Sequence, residues 1–120
     1  MKNLSLNNMK YSCPIDLTLS VIGNKWKGLI IWALKDESKR FNEIRRDIGP
    51  INDKMLSQSL KKLAEQGILK RKSYNSIPPK VAYSLSLTGK QLIPIFTLME
   101  EWGNTNTKGY DGFEYLKTSS

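Results

Sequence analysis

Apolar residues recur at helical spacing along much of the chain, and the first such segment predicts one long helix over residues 16–35. Asp16 is the expected N-cap, since Pro14 suits a helix entry and disfavours helix before it; residues 1–15 then form an N-terminal arm. A helix that is apolar on two sides is buried on two sides, so one stripe faces either the chain's own core or a partner subunit. The first stripe contains Leu19, Ile22, Trp26, Leu29, Ile30 and Ala33, and the second contains Leu17, Val21, Ile31 and Trp32.

Two further helices are predicted in close succession over residues 41–66. The first, FNEIRRDI, turns Phe41, Ile44 and Ile48 inward, and Gly49-Pro50 ends it. In the second, Asn52 is the expected N-cap, Gly67 lies just past the end, and one apolar face is formed by Leu56, Leu60 and Leu63. A short helix, a four-residue break and a second helix form the helix-turn-helix arrangement.

A β-hairpin is predicted after this pair of helices, over residues 68–87. Two segments rich in strand-forming residues, 68–74 and 80–87, flank the loop NSIPP. Ser86 is expected to cap a last helix over residues 88–103, and residues 104–120 form a polar tail. Apolar residues at helical spacing in that last helix are Leu92, Ile95, Phe96, Met99 and Trp102. The prediction is one mostly helical domain, 1–120, with a small β-hairpin.

Charge narrows the functions that such a fold can have. There are 19 Lys and Arg against 11 Asp and Glu, a net charge of +8, which favours nucleic acid or an anionic membrane surface over solubility alone. No apolar run is long enough to span a membrane and the N-terminus lacks a signal-peptide core, so we expect a cytoplasmic protein without a membrane partner. With no histidine and a single cysteine, we expect no catalytic residue, metal or cofactor.

The polar face of the 53–66 helix, opposite its leucines, carries candidate residues for reading DNA bases. Gln58 could bond adenine N6 and N7, Lys54 could donate to guanine O6 and N7, and Ser57 could serve either base. Asn52 could reach a base or a phosphate. An ordinary solvated face is the alternative. Phosphate contacts fix register without reading sequence, and the candidates for them are Lys25, Arg40, Asn42, Arg45, Arg46, Lys61, Lys62, Arg71, Lys72 and Lys80.

Five strings, in this order and spacing, resemble the HxlR-type regulators, which are relatives of the MarR group. They are CPID (13–16), IGNKW (22–26), RFNEIRRDI (40–48), INDKMLSQSLKKLAEQGIL (51–69) and PPKVAYSLSLTGK (78–90). The resemblance runs from about Cys13 to Trp102 and implies a winged helix-turn-helix with a recognition helix at 53–66 and a wing at 70–86. The departures are small: Asn24 replaces a common glycine, and Asn52 replaces the usual Ser or Thr cap.

The same resemblance implies a homodimer whose helices at both ends of the chain pack against the partner. The residues expected in this interface are Leu17, Val21, Ile31, Leu92, Ile95, Phe96, Met99 and Trp102. Cys13 matches a cysteine that many members carry before the first helix and that in some responds to oxidants or electrophiles. A thiol near a helix N-terminus can be a stronger nucleophile, and the alternative is a buried cysteine acting as a small apolar residue.

The sequence therefore predicts a dimeric, sequence-specific transcription regulator that reads an inverted repeat in double-stranded DNA, with Cys13 as a candidate sensor beside the structural alternative. A winged-helix protein-interaction module is one alternative, but it would be expected to lack the surrounding basic residues. A non-specific nucleic-acid binder is another, against which the amide and hydroxyl side chains argue mildly. The absence of histidine and of a phosphate-cradling glycine loop argues against an enzyme. The pattern does not establish whether a small molecule is an effector.

Overall fold

The computed structural model describes residues 4–6 and 9–107 of the chain. Its helices are α1 (Pro14–Ile22), α2 (Lys25–Ala33), α3 (Phe41–Ile48), α4 (Asp53–Glu65), α5 (Leu87–Lys90) and α6 (Ile93–Thr105). Its strands are β1 (Leu4–Leu6), β2 (Met9–Tyr11), β3 (Lys39–Arg40), β4 (Leu69–Tyr74) and β5 (Lys80–Leu85). The expected tail lies outside the described residues from 108 onward, whereas its first residues belong to the end of α6.

Two small antiparallel sheets accompany the helices. The strands β1 and β2 form a hairpin, and a second sheet has the order β3-β5-β4. In the second sheet Tyr83 lies opposite Arg71 on one side and Lys39 on the other. The strands β4 and β5, with the loop between them, form the wing. The strand β3 pairs with the middle of β5 and joins the wing to the start of α3. The predicted fold class, a mostly helical winged helix-turn-helix, is confirmed.

The core lies where α2, α3 and α4 meet the base of the wing. Its fully buried side chains are Ile30, Ile31, Ile44, Ile48, Leu56, Leu60, Leu63 and Ile68. All three leucines predicted for the inner face of α4 are among them, with at most 1% of their surface exposed. Burying each such side chain favours folding by about 1.5–3 kcal/mol, so the core fixes which face of α4 is left outside.

The prediction of one helix over residues 16–35 is wrong, because the chain breaks at Gly23-Asn24. The Asn24 Oδ1 accepts hydrogen bonds from the backbone N–H groups of Trp26 (2.9 Å) and Lys27 (3.3 Å), so Asn24 is the N-cap of α2. The Gly23 N–H bonds the Leu19 carbonyl at 2.7 Å, and a Cβ on Gly23 would lie 2.4 Å from that oxygen. An unbroken apolar pattern concealed this change of direction.

The start of α1 also differs from the prediction. Cys13, not Asp16, is the N-cap, and its Sγ accepts from the Asp16 N–H at 3.5 Å. The Asp16 carboxylate accepts from the N–H (2.9 Å) and the hydroxyl (3.1 Å) of Ser12, so it closes the first turn from the other side. Pro14 then occupies the first helical position, where a missing N–H has no consequence. The β1–β2 hairpin in the expected arm was not predicted.

The prediction of a single helix over residues 88–103 is wrong in the same way. Ser86 is a cap, as expected, because its hydroxyl accepts from the Gly89 N–H at 3.0 Å. However, it caps the short helix α5, and a turn at residues 91–92 separates α5 from α6. Pro94 lies in the first turn of α6, where its ring and missing N–H are tolerated, so it kinks nothing.

Candidate nucleic-acid interface

The turn between α3 and α4 is held by contacts on both sides of it. Gly49 has φ 100°, a left-handed conformation that favours glycine, and the following Ile51 is buried. The Asn52 Oδ1 accepts from the Met55 N–H at 2.8 Å, which confirms Asn52 as the N-cap of α4. An ion pair between Arg45 Nη1 and Asp53 Oδ1, at 2.7 Å, joins α3 to the first turn of α4. These contacts fix the angle at which α4 leaves α3.

The outer face of α4 presents polar side chains without partners in the described part of the chain. Lys54, Ser57 and Gln58 are exposed and make no hydrogen bond or ion pair to any described residue. Asn52 differs, because its side-chain oxygen is engaged in capping and only its amide N–H groups remain available. Three of the four predicted base-reading side chains are therefore free to bond a ligand, and the fourth can only donate.

The residues predicted to contact phosphates are all exposed, but they are not equally free. Arg45 is paired with Asp53, and the ammonium of Lys72 lies 5.1 Å from the ring centre of Tyr74. Lys25 stands apart from the others, since it lies over Trp26 and lines a different cleft, between α2 and α6. No hydrogen bond or ion pair within the described residues involves the side chains of Arg46, Lys61, Lys62, Lys70 and Lys80.

A basic cleft of about 700 Å³ separates α3 from the tip of the wing. Its cationic lining comes from Arg40 and Arg46 on one side and Lys80 on the other. It forms because β3 pairs with β5, Arg40 lying opposite Ala82, which brings the start of α3 against the wing. The carboxylate of Glu43, which also lines the cleft, accepts from the Arg40 N–H at 2.9 Å and is thus partly engaged. An anion in this cleft would meet the positive charges of Arg40, Arg46 and Lys80 and the negative charge of Glu43.

Sequence reasoning missed a polar junction behind α4. Lys27 is only 6% exposed, and its Nζ donates to the Ser20 carbonyl at 2.7 Å. The buried Gln66, which ends α4, directs its Nε2 toward the same oxygen at 3.4 Å. Burial lowers the pKa of Lys27 from its ordinary 10.5, and the positive charge of Lys62 lowers it further. The available signal was helical spacing, because Lys27 precedes Ile30 and Ile31 by three and four residues.

The predicted dimer contacts divide into two groups. Val21, Ile31 and Phe96 are 2%, 0% and 7% exposed, since they pack in the chain's own core, so their assignment to a partner surface is corrected. Leu17 and Leu92 are half-buried, whereas Ile95, Met99 and Trp102 are exposed. Three exposed apolar side chains on α1 and α6 were not predicted as contacts, namely Ile15, Leu19 and Leu98. On α1 and α2, the stripe that contains Val21 and Ile31 thus faces the chain's own core.

The side chain of Cys13 is half-buried at the start of α1. In the part of the chain that the structure describes, no group of His, Cys, Asp or Glu side chains could hold a metal ion. No helix in the same part is long and apolar enough to cross a membrane.

Comparison with known proteins places this geometry in a family. Residues 21–110 match the model of the HxlR-like helix-turn-helix family. The HTH-type transcriptional regulator YybR of Bacillus subtilis (strain 168) is 46% identical over 105 residues, which is 88% of this chain and 82% of YybR.

Solved structures give the same result. The redox regulator HypR in its oxidized form superposes with a TM-score of 0.74 at 46% identity, covering 78% of this chain and 96% of HypR. A MarR-family transcriptional regulator from Porphyromonas gingivalis W83 superposes with a TM-score of 0.75 at 35% identity, covering 79% of this chain and 93% of that one. The exposed helix-turn-helix, its basic surroundings and these matches agree: the chain belongs to the HxlR-like helix-turn-helix family and is a DNA-binding transcription regulator, not an enzyme.

Proposed function

We propose that the protein acts as a homodimer that reads an inverted repeat in double-stranded DNA, with α4 of each copy in the major groove. The observation that carries this proposal is the outer face of α4, whose side chains are exposed and unpaired among the described residues while basic side chains flank it on both sides. Because the backbone of α4 is held at both ends, the conformational entropy lost on binding is mainly that of its side chains. Two such helices related by a two-fold axis read half-sites about one helical turn apart.

Within α4 we assign base reading to Lys54, Ser57 and Gln58. Their side chains project from the first half of the helix, which is the part that reaches base edges when a recognition helix enters the major groove. Asn52 is better suited to donate to a phosphate, because its oxygen is already bonded to the Met55 N–H. The phosphate contacts then come from two directions, the start of α3 and the wing.

The dimer is proposed to form through α1 and α6. These two helices expose large apolar side chains that no described residue covers: Ile15 (67%), Leu19 (56%), Leu98 (65%), Met99 (47%) and Trp102 (71%). Large exposed apolar patches are typical of protein interfaces, which supports the choice of these two helices. A stable dimer buries about 1,600 Å² in total, for which aromatic and methionine side chains near the centre are favoured.

Cys13 is proposed to connect the redox state of the cell to this dimer. The comparison with HypR, a redox regulator, supports the assignment, as does the position of the thiol at the start of a proposed dimerisation helix. Under an oxidant the thiols of two copies would each lose a proton and an electron and form a disulfide between subunits, or one thiol would form an adduct. Either product alters how α1 meets the partner.

Selection from a random duplex pool at physiological salt tests the first proposal. Enrichment of an inverted repeat is expected, since non-specific binding is already weak under these conditions. Binding without enrichment would mean that the basic residues contact phosphates while α4 makes no sequence-specific contact with the bases.

Titrating the selected duplex before and after mild oxidation, with wild type and Cys13→Ser, tests the sensor. We expect the affinity of the wild type to change and that of the variant to stay constant. Equal affinities of oxidised and reduced wild type would leave Cys13 with a structural role only.

A further inference from the structure

The polar junction behind α4 connects the end of α1 with the end of α4. The Lys27 Nζ donates to the Ser20 carbonyl at 2.7 Å, and the Gln66 Nε2 points to the same oxygen at 3.4 Å. Ser20 lies in the last turn of α1, where carbonyls have no partner within the helix, and Gln66 is the C-cap of α4. Among the described residues, no other hydrogen bond joins α1 to α4. One carbonyl oxygen thus relates α1, α2 and α4.

A lysine is a costly residue at the centre of this junction. Lys27 is only 6% exposed and makes no ion pair with any described residue. A buried ammonium without a carboxylate costs free energy that a methionine at the same position would not. The partial negative charge at the C-terminus of α1 offsets part of this cost. Unlike apolar packing, an N–H···O bond also requires a particular distance and direction, so the lysine constrains where α1 ends.

The side-chain amide of Gln66 leaves one of its own atoms unpaired in this contact. Gln66 is 4% exposed, and its Oε1 accepts no hydrogen bond from any described residue. The opposite orientation of the amide would place Oε1 against the Ser20 oxygen, where two acceptors repel each other. The observed orientation keeps a donor on the carbonyl of α1 at the expense of a buried acceptor. Such acceptors are rare in folded proteins, which supports a role of this junction in geometry and not in stability alone.

A small change of angle at this junction moves the other end of α4 by a whole base pair. Gln66 follows the last turn of α4, whereas Lys54, Ser57 and Gln58 lie in its first half. The 13 residues of α4, at about 1.5 Å each, make the helix about 20 Å long. Tilting α4 by about 10° relative to α1 would therefore move its first turn by about 3.4 Å, the rise of one base pair.

We propose that Lys27 and Gln66 are positioning residues that hold α4 at a fixed angle to α1 and thereby determine the spacing between the two half-sites. This inference rests on the proposed homodimer and on the proposed base reading by α4. The exposed Ile15 and Leu19, assigned to the dimer interface, belong to the same helix as Ser20. The junction therefore relates the two-fold axis of the dimer to each recognition helix. Without it, each copy still reads its half-site, but the distance between the two copies of α4 is no longer fixed.

The test changes the spacing and leaves the half-sites unchanged. A series of duplexes carries the selected half-sites with the spacer shortened or lengthened by one or two base pairs, and a further duplex carries a single half-site. The proteins compared are the wild type, Lys27→Met, Gln66→Met and the double variant. Methionine keeps the approximate length of both side chains and removes their donors. Lys90→Met is the matched control, because it removes an exposed ammonium from α5.

The wild type and Lys90→Met are expected to lose affinity on the order of tenfold when the spacer changes by one base pair, as for one unsuitable base pair. Lys27→Met and Gln66→Met are expected to bind all spacings nearly alike. Their affinity for the single half-site should equal that of the wild type, because α4 still reads it. The effects of the two substitutions should not add in the double variant, since both side chains act on one carbonyl.

A merely structural role would lower the melting temperature, or the affinity for every duplex, and leave the ratio between spacings as in the wild type. That result, or a loss of discrimination in Lys90→Met as well, would overturn the positioning role and leave the reading by α4 intact. If Lys27→Met does not fold, Gln66→Met decides, because it keeps the 2.7 Å bond from Lys27 to Ser20. Equal affinity of the wild type for all spacings and for the single half-site would overturn the dimeric reading, and this inference with it.

Discussion

The helices α4 and α6 have the same length, 13 residues each, but expose opposite chemistry. The helix α4 buries a row of leucines and leaves outside an amide, a hydroxyl and ammonium groups, together with the thioether of Met55. Phe96 is the one buried residue of the helix α6, and the outer surface of this helix includes Leu98, Met99 and Trp102. Amphipathic periodicity therefore indicates which face of a helix packs in the core, whereas the residues left outside indicate what the helix binds. The outer face of α4 suits a hydrated polyanion, and that of α6 suits an apolar protein surface.

A charged side chain on the outer face of α6 should have the largest effect. Trp102→Glu is expected to produce a monomer at micromolar concentration, because a buried aromatic at an interface is commonly worth ~2 kcal/mol or more. Affinity for the inverted repeat should then fall on the order of a hundredfold, since the two half-sites are no longer bound together. Sedimentation and duplex titration measure the two effects.

Thr97→Glu is the matched control, because Thr97 is also exposed on α6 but is polar. It should leave both the dimer and the affinity nearly unchanged. A Trp102→Glu protein that remains dimeric would show that α6 is not the interface.

A second pair of variants distinguishes base contacts from phosphate contacts. Gln58→Ala should reduce affinity by about tenfold for the selected duplex and relax the preference at one base position, because one specific contact is lost. Arg71→Ala should weaken binding to all sequences alike and reduce the salt slope by about one. Quantitative binding to a panel of single-base variants at several salt concentrations distinguishes them. If both variants changed the base preference in the same way, the division into base-contacting and phosphate-contacting residues would be wrong.

The smallest expected effect concerns the buried Lys27 behind α4. Because its pKa is lowered in the folded state, the unfolded chain binds more protons as the pH approaches 10.5 from below. The free energy of unfolding of the wild type should therefore rise with pH in that window relative to that of Lys27→Met, which cannot titrate. Denaturant unfolding of both proteins at a series of pH values above about 8 gives the difference. A difference that does not change with pH would mean that Lys27 is well solvated.

Much of the DNA-facing half followed from the sequence because local signals there agree with each other. Leu56, Leu60 and Leu63 mark the inner face of α4, and Asn52 caps it as predicted. The observed end at Glu65 lies within one residue of the prediction. Each of these signals acts over a few residues, so the pattern alone determines the outcome.

The other half was predicted less well, because nonlocal packing decides it. Apolar periodicity runs through Gly23-Asn24 without interruption, yet a single side-chain cap divides α1 from α2 there. The turn also brings the Ser20 carbonyl to the Lys27 ammonium, a contact that helical spacing alone does not predict. The inward stripe of α1 was assigned to the wrong side for the same reason, so Val21 was placed on a partner surface.

The junction between α4 and the wing is also stabilised by the segment that begins α5. The Ser86 hydroxyl donates to the carbonyl of Gly67 (2.7 Å) or of Ile68 (3.0 Å), and a Cβ on Gly89 would lie 2.4 Å from the Ile68 oxygen. These contacts fix the angle between α4 and the hairpin. Each base pair advances the duplex by about 3.4 Å. With this angle fixed, binding depends on the distance between the two DNA features that α4 and the wing contact, as well as on their identity.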